Sequence, residues 1–192
     1  MILNQNKGFT LLEVLISLGG GILVLFAVLN IFSLSREALR VGGQRAELTQ
    51  NARIALERIA RDLRQAETLV SALPETDSDP ENPPPSEIEF YDGHDPDALT
   101  YIRYHLVDGT LLRELSYYAF PSDPNVRVYH NTLDQFGNLP DKTVTEDLTV
   151  AELVLNLEFF GEENITILIT VAQSDISITV PTTIFARNLT GT

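Results

Sequence analysis

The sequence has no cysteine among its 192 residues. A disulfide framework, a thiolate metal site and thiol chemistry are therefore all excluded. Proline is missing from the first 73 residues, and the first one is Pro74. No proline breaks a helix before that point. Positive charge is scarce in the later part of the chain. Through Thr68 there are 8 Lys+Arg against 6 Asp+Glu, and after it 5 against 21, which leaves the whole chain at −14. Such an acidic body repels nucleic acid, so no nucleic-acid partner is expected. The sequence also lacks a P-loop, a G-x-G-x-x-G, an H-E-x-x-H and a G-x-S-x-G. Nothing among the 21 later acids selects a catalytic pair. The expectation is a protein that is not an enzyme and that needs no cofactor.

What is present begins with an apolar run. Phe9 to Leu34 is 26 residues long, and Glu13 is its only charged side chain. As a helix it would extend about 39 Å, enough to cross a hydrocarbon core of about 30 Å. A carboxylate at the bilayer centre costs about 2.5–3.5 kcal/mol on insertion scales, and charges inside such spans usually mark function. Glu13 therefore needs a partner or a place at the headgroups. From Arg36 to Val70 the pattern turns amphipathic: Leu48, Ala52, Leu56, Ile59, Leu63, Ala66 and Val70 recur at steps of four and three. Arg53, Glu57, Arg58, Arg61, Asp62 and Arg64 fall on the other faces. One helix is allowed from about Phe9 to about Val70, weakened at Gly19-Gly20-Gly21 and Gly42-Gly43.

Leu73 to Ser86 reads "LPETDSDPENPPPS", an acidic proline-rich loop too polar to pack. Beyond it the period changes from 3.6 to 2. Ile88 and Phe90 alternate in "EIEFY". "LTYIRYHLV" meets "LLRELSYY" across Asp108-Gly109, a hairpin signal. Pro121 to Asp147 is less regular. Three strands are expected at Val150–Phe160, Ile165–Ala172 and Ile176–Phe185, the last at an edge or carrying a bulge because of Pro181. A helix followed by strands, without βαβ alternation, predicts an α+β fold with an antiparallel sheet covered by the stretch from about Ala52 to Val70. The expected divisions are 1–8, 9–35, 36–72, 73–86 and 87–192. They correspond to a leader, an apolar helix, an amphipathic helix, the acidic loop and a β-rich domain.

The leader does not fit a cleaved secretory signal. Its apolar region is too long, and Ser33-Leu34-Ser35 is the only small-residue cut site beyond it. "KGFTLLE", Lys7 to Glu13, instead resembles the processing site of type IV prepilins and of the pseudopilins of type II secretion. The resemblance implies a pilin-like fold and cleavage between Gly8 and Phe9 on the cytoplasmic side by a prepilin peptidase. That enzyme also N-methylates Phe9. The resemblance makes Glu13 the acidic residue used in assembly. The new Phe9 amine lies within one helical turn of Glu13, so its own amine or that of the next subunit can neutralise the carboxylate where water is excluded. It further implies an inner-membrane, single-pass precursor with its C-terminal domain periplasmic or extracellular, later packed with other pilin or pseudopilin subunits. Cation counting runs the other way: Lys7 precedes the span, while Arg36, Arg40 and Arg45 follow it. "NARIALERIARDLRQAE" and "TTIFARN" are similar to the J-type minor pseudopilin and the W-type minor pilins. Glu13 argues against the K-type tip subunit, which typically lacks it.

Other residues have plainer readings. Gly19–Gly21 falls where the family often weakens its helix, and Ser17 and Gly21 are equally suited to close helix packing. Asp77, Asp79 and Glu81 alternate, but the glycine and closing glutamate of an EF-hand are missing. Asp92, Asp95 and Asp97 flank Gly93-His94 and are a weak calcium candidate beside the default of a solvated loop. His94, His105 and His130 lack metal-ligand spacing. The sequons at Asn164 and Asn188 matter only in a eukaryotic secretory setting. A fibre subunit is thus expected first. A minor pilin whose acidic body binds a surface or cargo comes second, and a membrane-tethered periplasmic enzyme third.

Overall fold

The computed structural model describes residues 10–93, 99–162 and 164–186. The chain divides into two compact units, Met1–Gln44 and Arg45–Thr192. One helix, α1 (Leu11–Gln65), runs through the division. Within the first unit the described side chains from Thr10 to Arg40 are all exposed. The helix is long and apolar enough there to cross a membrane, and none of that window is buried in the protein.

In the second unit α1 behaves as a core helix. Leu48, Ala52, Leu56, Ile59 and Leu63 are buried, as the steps of four and three predict. They share one apolar core with inward residues of two antiparallel sheets. The first sheet holds β1 (Ala66–Leu69), β2 (Glu87–Asp92), β3 (Thr100–Val107), β4 (Thr110–Phe120) and β5 (Asp123–Val128), paired in chain order, with β6 (Asp141–Ala151) also paired to β4. The second sheet is β7 (Val154–Phe160), β8 (Asn164–Gln173) and β9 (Ile176–Phe185), also in chain order. Phe90 and Tyr104 face the core from the first sheet, and Phe159, Ile165, Ile167 and Ile169 face it from the second. The class is α+β with antiparallel sheets.

The β3–β4 hairpin turns at Asp108-Gly109, with φ of 48° and 78°. Two left-handed residues in a two-residue loop match the twist of the flanking strands. β9 spans Ile176–Phe185 and lies at the edge of its sheet, with Pro181 paired to Leu168 of β8. Both features agree with the sequence reading.

Five expectations need correction. The helix does not continue to 72. It ends at Gln65, and Ala66–Leu69 pairs with β2. Ala66 is buried in either conformation, so the helical stripe placed it in the core but in the wrong element. The described strands form two sheets, and the expected strand at Val150–Phe160 is cut in two. Val150 and Ala151 close β6, and Leu153 has φ of 61°, a turn that breaks the ladder before β7. The irregular stretch Pro121–Asp147 contains β5 and the first seven residues of β6. The acidic loop does pack at its ends: Pro74 is buried and its carbonyl accepts the Gly161 N–H at 2.8 Å. The Pro85 carbonyl accepts the Phe159 N–H at 3.2 Å. Finally, Asp62 is not on a solvated face but buried.

Candidate functional site

α1 opens on a capped turn. The Thr10 carbonyl accepts the N–H groups of Glu13 at 3.1 Å and Val14 at 3.2 Å, and the Thr10 hydroxyl oxygen accepts the Glu13 N–H at 3.3 Å. Thr10-Leu11-Leu12-Glu13 is the T-x-x-E pattern of a capping box, so Glu13 sits three residues past the cap in the first turn. A carboxylate there meets the positive end of the helix dipole, which is worth about 0.3–1 kcal/mol. The T-x-x-E spacing that signals it is visible in the sequence. Glu13 is exposed, so its carboxylate is open to a cation from outside the chain. Gly8 and Phe9, where cleavage is expected, lie outside the described residues.

Below that turn the helix surface has a shallow groove of about 600 Å³ lined by Val14, Ser17, Leu18, Gly21, Ile22 and Leu25. Val14, Leu18, Ile22 and Leu25 make it apolar, and Ser17 and Gly21, four residues apart, leave room for a close neighbour. A Cβ added at Gly19, Gly20 or Gly21 would meet nothing within 4 Å. The groove and the exposed leucines around it suit lipid or a second apolar helix rather than water.

The acidic body holds buried polar chemistry of another kind. Asp62 Oδ2 accepts a hydrogen bond from Arg113 Nε of β4 at 2.7 Å and another from the Tyr104 hydroxyl of β3 at 2.8 Å. Burial, and then the Asp62 charge, push the Tyr104 hydroxyl well above its ordinary value. Burial works against the Arg113 charge, but the Asp62 hydrogen bond and charge outweigh it and leave Arg113 raised. A second network lies on the first sheet. Lys142 Nζ is 2.7 Å from Glu114 Oε1 and 3.0 Å from Glu89 Oε1. Arg103 pairs with Glu87 and reaches Glu114 at 3.8 Å. The Tyr118 hydroxyl donates to Glu89 at 3.1 Å, and burial followed by the Glu89 charge raises it. Each charge here has an opposite neighbour, which is the pattern of a structural network.

Of the calcium candidates, Asp92 closes β2, while Asp95 and Asp97, with His94, lie outside the described residues. Among the described residues no three of His, Asp and Glu are grouped to hold a metal. His105 belongs to β3, and His130 follows β5. His130 packs edge-on against Tyr101, whose hydroxyl oxygen accepts the His130 N–H at 3.0 Å.

Fold and site together define a class: an α+β protein whose long N-terminal helix is compatible with a transmembrane segment. Compared with models of protein families, with curated proteins and with solved structures, the chain finds no match.

Proposed function

We propose that the chain is a minor pilin-like subunit, a pseudopilin or pilin. It is inserted in the inner membrane as a precursor, cut between Gly8 and Phe9, N-methylated at Phe9, and packed into a type II secretion pseudopilus or a type IV pilus. The observation that carries this reading is the first unit. An apolar helix whose described side chains from Thr10 to Arg40 are all exposed presents one carboxylate, Glu13, in its first turn, four residues past Phe9. Such a surface needs lipid before assembly and neighbouring helices after it. The freed Phe9 amine of one subunit supplies the cation that Glu13 of another requires. The subunit itself catalyses no reaction, and its partners are the prepilin peptidase and the other fibre subunits.

The experiment is recruitment into the fibre. Glu13→Val removes a charge that costs about 2.5–3.5 kcal/mol in the apolar run, so insertion holds or improves. Cleavage survives because the scissile bond is unchanged. Co-purification with fibre subunits after crosslinking, at matched membrane levels, is expected to fall for Glu13→Val and to recover in part for Glu13→Asp. Equal recovery for wild type and Glu13→Val would remove Glu13 from assembly.

A second reading, a subunit whose body binds a surface or cargo, is favoured by one loop. Asp134 accepts the N–H groups of Phe136 and Asn138, each at 2.8 Å, and the Asn138 side-chain amide at 3.0 Å. The loop so fixed exposes Leu133, Phe136 and Leu139. Ordered apolar side chains held in water suit a contact with another macromolecule.

A further inference from the structure

The second unit is acidic, yet one of its surfaces is cationic. Arg53, Arg61 and Arg64 of α1 are exposed and recur on one side of the helix, with Glu57 between them. With Val180 and Thr182 of β9 they line a groove of about 550 Å³. None of the three arginines makes an ion pair within the described residues, whose pairs are all formed by other cations. The outer side of β9 is a sheet edge, but Pro181 lacks an N–H in its middle. A complete strand therefore cannot be added there, and the groove is suited to receiving side chains.

The complementary surface is the acidic loop. Glu75, Asp77, Asp79 and Glu81 are all exposed. Their bonds are local: the Ser78 hydroxyl donates to Asp77, and the Glu81 N–H donates to Asp79. Pro74 and Pro85 tether the two ends of the loop to Gly161 and Phe159, so the acids project from a held base. The loop is not extended: it turns near its tip, where the Asp79 carbonyl accepts the Asn82 N–H at 3.3 Å. Arg53 to Arg64 covers about 16 Å of helix. The two charged patches are thus of opposite sign.

We propose that the arginine groove receives the acidic loop, residues 75–81, of a second copy of this chain. Groove and loop are different patches of the same molecule, so the contact is heterologous, head to tail from one copy to the next. Exposed ion pairs are individually weak and are screened by salt. The contact therefore fixes register between copies already concentrated in a membrane or fibre. It goes beyond the fibre reading, and its failure would leave that reading intact, because cleavage at Gly8 is scored separately by mass.

The test uses the full chain in membranes, where the absence of native cysteine gives a clean background. One copy carries Arg61→Cys and a differently tagged copy carries Asp79→Cys, and a short thiol-reactive crosslinker is added. A product bearing both tags is expected. Its yield should fall roughly fivefold or more when Arg53→Glu and Arg64→Glu are added to the first copy. It should return when Glu75→Lys, Asp77→Lys and Glu81→Lys are added to the second, which also shows that both reversed chains still fold. No two-tag product would overturn the proposal, as would a yield indifferent to charge reversal or one that the paired reversal fails to restore. A chain carrying both cysteines that closes on itself in preference to its neighbour would also overturn it, by placing the loop in its own groove.

Discussion

Asp62 is the residue on which the second unit turns. It belongs to α1, yet its partners, Arg113 and Tyr104, come from β4 and β3, so one carboxylate ties the helix to the first sheet. Both members of the ion pair are nearly buried, with side chains about one-tenth exposed, at 10% for Asp62 and 11% for Arg113. Removing one leaves the other charged and unpaired out of water. Asp62→Leu is therefore expected to destabilise the unit by about 3–5 kcal/mol, while Asp62→Leu with Arg113→Leu should return most of that loss. Denaturant titration of the full chain in detergent, followed by tyrosine fluorescence, separates the two outcomes. A double variant as unstable as the single one would mean that shape, not charge, is what Asp62 supplies. None of this was legible in the sequence. Helical periodicity assigns a polar residue to the outside, and the partner of Asp62 lies 51 residues further along the chain. The place of Glu13 in the first turn of an apolar helix was legible because the signal is local: one charge in an uninterrupted apolar run.

Elements were legible where one local rule decided them. Asp108-Gly109 specifies its turn through left-handed φ at two adjacent residues, and the β3–β4 hairpin follows. The end of α1 was not, because Ala66 fits both a helical stripe and a strand, and only pairing with β2 decides it. The split between β6 and β7 was hidden for a similar reason. Glu152 and Leu153 look like strand residues, and the break depends on the Leu153 conformation and on the Ala172 N–H bonded to its carbonyl at 2.9 Å. Gly161, after β7, shows how closely such connections can be fitted. Its φ is 104°, and an added Cβ would come within 2.1 Å of the Asn164 carbonyl oxygen. At Gly109, with φ of 78°, the nearest atom to an added Cβ is 3.7 Å away. Gly109→Ala is thus expected to cost only the left-handed backbone term, about 1–2 kcal/mol. Gly161→Ala should cost clearly more, because backbone must also move at the site where the acidic loop is tethered. Paired thermal melts of the two variants check the order, and equal shifts would show that the Gly161 contact relaxes freely.

At the scale of the whole molecule, charge and hydropathy divide the labour. The first unit carries the apolar, exposed stretch of α1, and the second carries the acidic body with its single core. The exposed apolar stretch is compatible with a membrane span, whereas the second unit buries its apolar residues in a core. The pilin-like reading places the transition between the two at a single covalent event at Gly8-Phe9, which frees the amine that Glu13 can pair with. The measurement that tests this most directly is intact mass and N-terminal peptide analysis of the mature protein from its native membrane. The expected result is a chain that begins at Phe9 with a methylated amine, together with accumulation of precursor when Gly8→Leu places a side chain at the scissile bond. A mature chain that retains Met1, or one that begins near Arg36, would contradict it.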